Sequence, residues 1–236
     1  MEFTIKERYD INDLLKIIEM LRDPETGCPW DEVQTHKSIR KNFIEETYEA
    51  VEAIDTDDKE LMKEELGDVL MQVLLHAQFE AEENVFDFGD VVDGTAQKLV
   101  LRHPHIFAGF DNKTVDGVLQ KWEEIKQQEK GQKTVSETLD AIPKSFPALM
   151  YAQKLQKRAV AGGIASYDAQ QSIASIKAQL DAVSAQLEQG NDVSSLMGQL
   201  LFDTVCLTAA TKNDAEEVLG LENGKKLEYF KGLDPK

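Results

Sequence analysis

Two cysteines, Cys28 and Cys206, are all the chain has, which rules out a disulfide framework and leaves a cysteine-based zinc site without enough ligands. Positive charge is scarce as well. Against 44 Asp and Glu stand 26 Lys and Arg, a net charge of −18. Such a balance repels phosphate backbones and anionic lipid, so neither a nucleic acid nor a membrane surface is an expected partner. No run of residues approaches the roughly 18 consecutive apolar positions that span a bilayer. The segment from Met1 to Arg8 has no apolar stretch of the kind that directs secretion, and a cytoplasmic location is the expectation. What the sequence does have is 42% hydrophobic residues over 236 positions, enough to pack one large domain or two small ones.

The apolar residues recur with helical period. Ile11, Leu14, Leu15, Ile18 and Leu21 follow Asp10, a residue suited to capping, and the pattern stops at Asp23-Pro24. Further helices are predicted over about 35–54, 59–83, 90–101, 115–130, 148–161 and 172–188, with a last helical region from about 193. The short polar turn Asp55-Thr56-Asp57-Asp58 makes the second and third of these antiparallel neighbours. No segment alternates with period two, so the fold class is all-α. Pro143 and Pro147, after the polar stretch from Gly131 to Thr134, place a linker at 131–147 between domains at 1–130 and 148–236.

Two consecutive helices carry acids at matching positions. At about 100° per residue, Ile39, Phe43, Ala50, Ala53 and Ile54 share one stripe, with Glu46 at its edge and Glu49 about 60° further round. On the next helix Leu61, Met62, Val69, Val73 and Ala77 form the stripe, Glu65 sits at its edge and Asp68 lies about 60° beyond. Four carboxylates converging on a shared core margin repel one another unless a cation neutralises them, and a hard divalent ion such as magnesium suits an all-oxygen set. The alternative is that these are solvated acids on amphipathic faces. His76 shares the face of Glu65 and reads either as a further ligand or as a hydrogen-bonded histidine at the core margin. Met71, Leu74 and Leu75 lie opposite the stripe, so the 66–77 stretch needs a second covering layer, from the chain's own C-terminal half or from a second subunit.

Several ordered blocks then resemble the MazG-type nucleoside triphosphate pyrophosphohydrolases of the all-α NTP pyrophosphohydrolase superfamily. They are Gly27-Cys28-Pro29-Trp30-Asp31 with Gln34-Thr35-His36, Glu45-Glu46-Thr47-Tyr48-Glu49, Glu64-Glu65-Leu66-Gly67-Asp68, Arg102-His103-Pro104-His105-Ile106-Phe107 and Trp122-Glu123-Glu124-Ile125-Lys126. The segment Gln153-Lys154-Leu155-Gln156-Lys157-Arg158 also fits. The resemblance implies a dimeric helical bundle that hydrolyses a nucleoside triphosphate to the monophosphate and pyrophosphate. It implies magnesium, with manganese as a substitute, on Glu46, Glu49, Glu65 and Asp68, and in-line attack by a metal-activated water. It further implies that Lys98, Arg102, Trp122 and Lys126 contact the nucleotide. Glu45 belongs to the family pattern, yet its wheel position faces about 100° from Glu46, and it is left outside the ligand set. Trp30 and Cys28 read as loop packing or pocket lining, and His103 and His105 as a rigid helix-end turn or phosphate contacts.

The C-terminal third reads as a second, degenerate copy. Residues 176–186 align under 44–54, and 195–201 under 64–70, placing Ala178, Asp181, Leu196 and Gln199 where the first copy has Glu46, Glu49, Glu65 and Asp68. One remaining acid cannot hold a hard cation, while the apolar spacing survives, so a packing role is expected there. The competing functional class is a non-catalytic nucleotide sensor or scaffold on the same bundle.

Overall fold

The computed structural model describes residues 3–109 and 114–233, and among these the chain forms twelve α-helices and no strand. Two compact units are distinguished, Met1–Val118 and Leu119–Lys236.

In the first unit, α1 (Ile11–Leu21) opens on the Asp10 carboxylate, which accepts from the Asn12 and Asp13 amides. The Asp13 carboxylate accepts in return from the Asp10 amide, closing a capping box. After α1 the chain turns back at Gly27. A Cβ at this position would stand 2.6 Å from the Leu21 carbonyl oxygen, so only glycine lets the Cys28 amide reach that carbonyl, at 2.8 Å. The short α2 (Pro29–Glu32) begins on a proline, whose missing amide costs nothing at a helix start.

The expected helix at 35–54 starts later, as α3 (Arg40–Asp55). Thr35 and Ser38 explain the delay: each side-chain hydroxyl accepts from the other's backbone amide, which holds the segment as a turn. Asp57 adopts φ 54°, Asp58 caps the next helix, and α4 (Lys59–Glu82) folds back along α3. Beyond it lie α5 (Phe88–Arg102), α6 (Pro104–Phe107) and the start of α7 (Val115–Glu129).

The core of this unit gathers Ile18 of α1, Ile39 before α3, and Leu74, Leu75 and Phe79 of α4. Leu14, Leu15, Leu70, Met71 and Phe88 pack against it. Leu74 is 1% exposed, and truncation to alanine there would cost roughly 2–5 kcal/mol. The covering layer expected over Leu74 and Leu75 is thus supplied by α1 and the start of α5, elements of the same unit, because Leu14, Leu15, Ile18 and Phe88 reach that end of α4. At the other end Leu66 is 53% exposed.

The second unit takes in most of α7, α8 (Val135–Asp140), α9 (Ala148–Ala161), α10 (Ala169–Glu188), α11 (Ser194–Ala210) and α12 (Ala215–Leu233). The unit boundary falls within α7, and the stretch expected as a linker at 131–147 holds α8, nucleated by a Thr134–Glu137 capping box. That helix packs on α9 across Gly162, where a Cβ would come within 2.6 Å of Val135 Cγ1. Gln153 of α9 ties the start of α12, accepting from the Ala215 amide at 2.8 Å and donating to the Asn213 carbonyl at 3.1 Å. The pair α10 and α11 packs together in the same order along the chain as α3 and α4. Among the described residues no helix is long and apolar enough to cross a membrane.

Candidate active site

The tight turn at 56–58 sets α3 against α4 and brings their acids together. Carboxylate oxygens of Glu46, Glu49 and Glu65 all lie within 4.8 Å of one another, the one group of acidic, histidine or cysteine side chains among the described residues spaced to hold a metal ion. Glu65 is only 8% exposed, Glu46 is half-buried and Glu49 is at the surface. Burial raises the Glu46 carboxyl above its ordinary range, and the charges of Asp68, Glu49 and Glu65 add to this, with a hydrogen bond to Glu49. Glu65 is raised too, by burial first and then by Glu49, Asp68 and Glu64. Asp68 stands outside the close group of three, but its charge acts on both glutamates.

Among the described residues no cationic side chain acts on Glu46 or Glu65 to relieve this repulsion. The donors are all carboxylate oxygens, the set that hard divalent ions such as magnesium take, so the residues fit that ion. Glu45 turns away and pairs with Lys41 at 2.7 Å on the solvent side, in keeping with its place on the helical wheel.

Of the residues expected to contact nucleotide, Lys98 is exposed on α5 and Arg102 is half-buried as its last residue. In the second unit Lys126 Nζ lies 4.8 Å from the centre of the Trp122 ring and 3.4 Å from a Glu123 oxygen. The two residues line a cavity of about 680 Å³ between α7, α8 and α9. The structure therefore assembles two groups from the expected set: the acids on α3 and α4, and Trp122 with Lys126.

His76 is engaged elsewhere. Its Nδ1 is 2.7 Å from His36 Nδ1, the rings stack at 4.9 Å, and His36 Nε2 donates to Glu80 at 2.8 Å. With the Nε2–H of His36 donated to Glu80, the facing Nδ1 atoms share a single hydrogen bond, one donating and the other accepting. Burial, and His36 beside it, lower the His76 pKa and favour the uncharged ring. His103 likewise has a structural bond, donating from Nδ1 to the Leu99 carbonyl at 2.6 Å at the end of α5.

Periodicity gave no sign of this histidine pair, nor of Arg22. The Arg22 side chain, 8% exposed, reaches both carboxylate oxygens of Glu82 at 2.6 Å and the Asp31 carbonyl at 2.5 Å, and lies 4.2 Å from the centre of the Phe79 ring. It thereby fastens the Trp30 segment to α4. Trp30 itself is 57% exposed, while Cys28 is half-buried. The only advance signal for Arg22 was a basic residue at the end of α1, shortly before the Gly27 block.

The chain is similar to known proteins. A family described as the MazG nucleotide pyrophosphohydrolase domain matches residues 34–107, which include all four acids. The chain is 40% identical over 228 residues to a protein of Escherichia coli (strain K12) named nucleoside triphosphate pyrophosphohydrolase, covering 95% of this chain and 87% of that protein. It is 39% identical, over 94% of this chain and 84% of the relative, to the nucleoside triphosphate pyrophosphohydrolase/pyrophosphatase MazG of Thermotoga maritima. A Mycolicibacterium smegmatis protein, again named nucleoside triphosphate pyrophosphohydrolase, is 35% identical over 82% of this chain and 57% of its own length. With the helical fold and the paired acids in place, likeness over nearly the whole length means that the chain belongs to the MazG nucleotide pyrophosphohydrolase family.

Proposed function

We propose that this protein hydrolyses nucleoside triphosphates at the α–β linkage, yielding the monophosphate and pyrophosphate, in the housekeeping of a cytoplasmic nucleotide pool. The observation that carries the reading is the close group of Glu46, Glu49 and Glu65, with their charges unrelieved and Asp68 adding to them. Related proteins of similar length are named for this reaction.

Glu46, Glu49, Glu65 and Asp68 would hold magnesium, with manganese as a substitute. When bound, the ion supplies Lewis-acid neutralisation of phosphate charge and lowers the pKa of an attacking water. The protein's own groups do the rest. A carboxylate of the cluster accepts the water's proton as attack on the α-phosphorus begins. Lys98 and Arg102 on α5, and Lys126 on α7, donate to phosphate oxygens and stabilise the charge that develops on the leaving pyrophosphate. Trp122 stacks on the base or ribose, a contact that every base can make. The exposed apolar residues of α3 and α5, Ile44, Tyr48, Leu99 and Val100 among them, suit the homodimer proposed for this protein. The α10–α11 pair is proposed as a degenerate copy that packs without catalysing.

A panel of nucleoside triphosphates assayed for pyrophosphate with and without magnesium tests the reading. Metal-dependent release is expected, abolished in Glu49→Ala and in Asp68→Ala while the helical circular dichroism stays intact. Nucleotide binding without release of pyrophosphate from any triphosphate would instead make the protein a sensor, and unfolding of both variants would give the acids a structural role.

A further inference from the structure

Gln72 of α4 is 3% exposed, yet no protein group donates to its Oε1 among the described residues. A buried amide left this way costs stability. It stands two turns beyond Glu65, about 20° away on the helical wheel, and one turn beyond Asp68, so it continues the face that carries the acids. On the antiparallel α3 the Phe43 ring lies 5.5 Å from His76, one turn past Gln72, which sets Gln72 between that aromatic contact and the acids. The α10–α11 pair shows what this position needs. In the register that sets 195–201 under 64–70 it is Asp203, which accepts from the Ser175 hydroxyl and, at 2.7 Å, from the Gln179 amide. Both donors are missing from α3. Ser175 corresponds to Phe43, which has no donor on its side chain, and Gln179 to Thr47, whose hydroxyl is spent on the Phe43 carbonyl at 2.7 Å. Glu65 and Asp68, on the same face of α4, are carboxylates that only accept when ionised.

We propose that Gln72 is a positioning residue for the acid site, its amide hydrogen-bonding to the waters that a divalent ion carries when held by Glu46, Glu49, Glu65 and Asp68. The inference rests on the reading of those four acids as ligands. Magnesium gives up its waters reluctantly, and groups outside the ligand set that fix such waters strengthen the hold on the ion. A carboxamide suits the task. It is neutral, so it adds no fifth negative charge to a cluster in which burial and mutual repulsion already raise Glu46 and Glu65. Turning it about its last bond exchanges carbonyl and NH2, so the one residue accepts from a water or donates to an acid as the site requires. An amide left unpartnered until an ion arrives weakens the fold and strengthens binding, because its hydrogen bond is made in the filled state alone.

Calorimetric titration of the full chain with magnesium chloride, beside thermal unfolding of the same preparations in chelator, tests the assignment through two readouts that move in opposite directions. In Gln72→Met an apolar side chain of similar length replaces the amide. Its melting temperature in chelator should rise, while its magnesium affinity should fall at least about tenfold. Gln72→Leu should do the same. Gln72→Glu restores an acceptor, so it should bind magnesium at least as tightly as the wild type, yet melt lower in chelator because it adds a like charge. A glutamine that merely packs the helix pair would behave otherwise. Unchanged magnesium affinity in both apolar variants overturns the proposal. So does a fall in the melting temperature of both in chelator, which would show that protein groups already satisfy the amide. Absence of magnesium binding by the wild type removes the reading of the acids as ligands and this inference with it, whereas wild-type binding matched by Gln72→Met removes the inference alone.

Discussion

Replacing Arg22 by methionine keeps the apolar stem and removes the guanidinium that links the Trp30 segment, α4 and the Phe79 ring. Three interactions are lost. The bidentate bond to Glu82 is strongly charge-assisted, but that carboxylate is 35% exposed and screened by water, so about 1 kcal/mol is assigned to it. Removing the 2.5 Å donor from the Asp31 carbonyl costs about another 1–1.5 kcal/mol, and loss of the contact with Phe79 about 0.5–1. Together the first unit should lose about 3 kcal/mol at neutral pH in urea denaturation followed by circular dichroism, with Trp30 emission reporting the loop. The effect should depend on pH in a definite sense. Hydrogen bonding to Arg22 comes first among the causes holding the Glu82 carboxyl below its ordinary value. A depressed acid contributes stability above its unfolded pKa and loses it as pH falls through the folded one. The gap between wild type and variant should therefore narrow in acid. A difference below about 0.5 kcal/mol at pH 7, or a gap equally wide well below Glu82's folded pKa, would refute the argument.

Magnesium should raise the melting temperature of the wild-type protein by several degrees when present far above its dissociation constant, and Glu46→Gln should blunt the response, read by differential scanning calorimetry. Arg102→Ala and Lys126→Ala should weaken triphosphate affinity more than monophosphate affinity, since only the longer ligand reaches a phosphate contact; equal losses in calorimetry would reject that role. Asp203→Ala should destabilise the second unit by about 1–3 kcal/mol and leave pyrophosphate release at the wild-type rate, because it strips partners from Ser175 and Gln179 but lies outside the catalytic set. Denaturation and turnover of the same preparation separate these two effects.

Long periodic elements were legible in the sequence. The predicted helix at 148–161 coincides with α9, and α4 begins at Lys59 as its capping aspartate requires. The start of α3 was not legible, since no periodicity shows that the hydroxyls of Thr35 and Ser38 hold the polar stretch before Ile39 as a turn. The acids Glu46, Glu49 and Glu65 could be found because both helices run regularly for several turns, so the wheel angle translates into position. Asp68 shows where that method stops: the wheel gives a direction from the helix axis, and the last few ångströms depend on side-chain torsions. His36 and His76 meet across 40 residues, and Arg22 and Glu82 across 60, contacts with no local pattern. The basic lining of the cavity beside Trp122, with Lys126, Lys133, Lys154, Lys157 and Arg158, was hidden for a related reason, because a net charge summed over the whole chain erases cations gathered from three segments.

The two helix pairs treat one buried polar position differently, and the difference bears on what each pair does. In the register that sets residues 195–201 under 64–70, Asp203 stands where α4 has Gln72. Gln72 is 3% exposed, one turn beyond Asp68, and its Oε1 accepts no hydrogen bond among the described residues. Asp203 instead accepts from the Ser175 hydroxyl at 2.5 Å and the Gln179 amide at 2.7 Å, both on α10. At this position a carboxylate satisfied across the helix pair ties α10 to α11, while in α3–α4 the carbonyl of Gln72 is left as an acceptor beside the acids. Ala178 and Leu196, at the positions of Glu46 and Glu65, remove the like charges that the first pair must neutralise. The second pair keeps an unmet acceptor of its own, the Gln179 Oε1, but lacks the like charges and has no need of a cation. What sets the first apart is its buried like-charge repulsion, a cost to stability that makes sense at a site completed by an ion and its ligand.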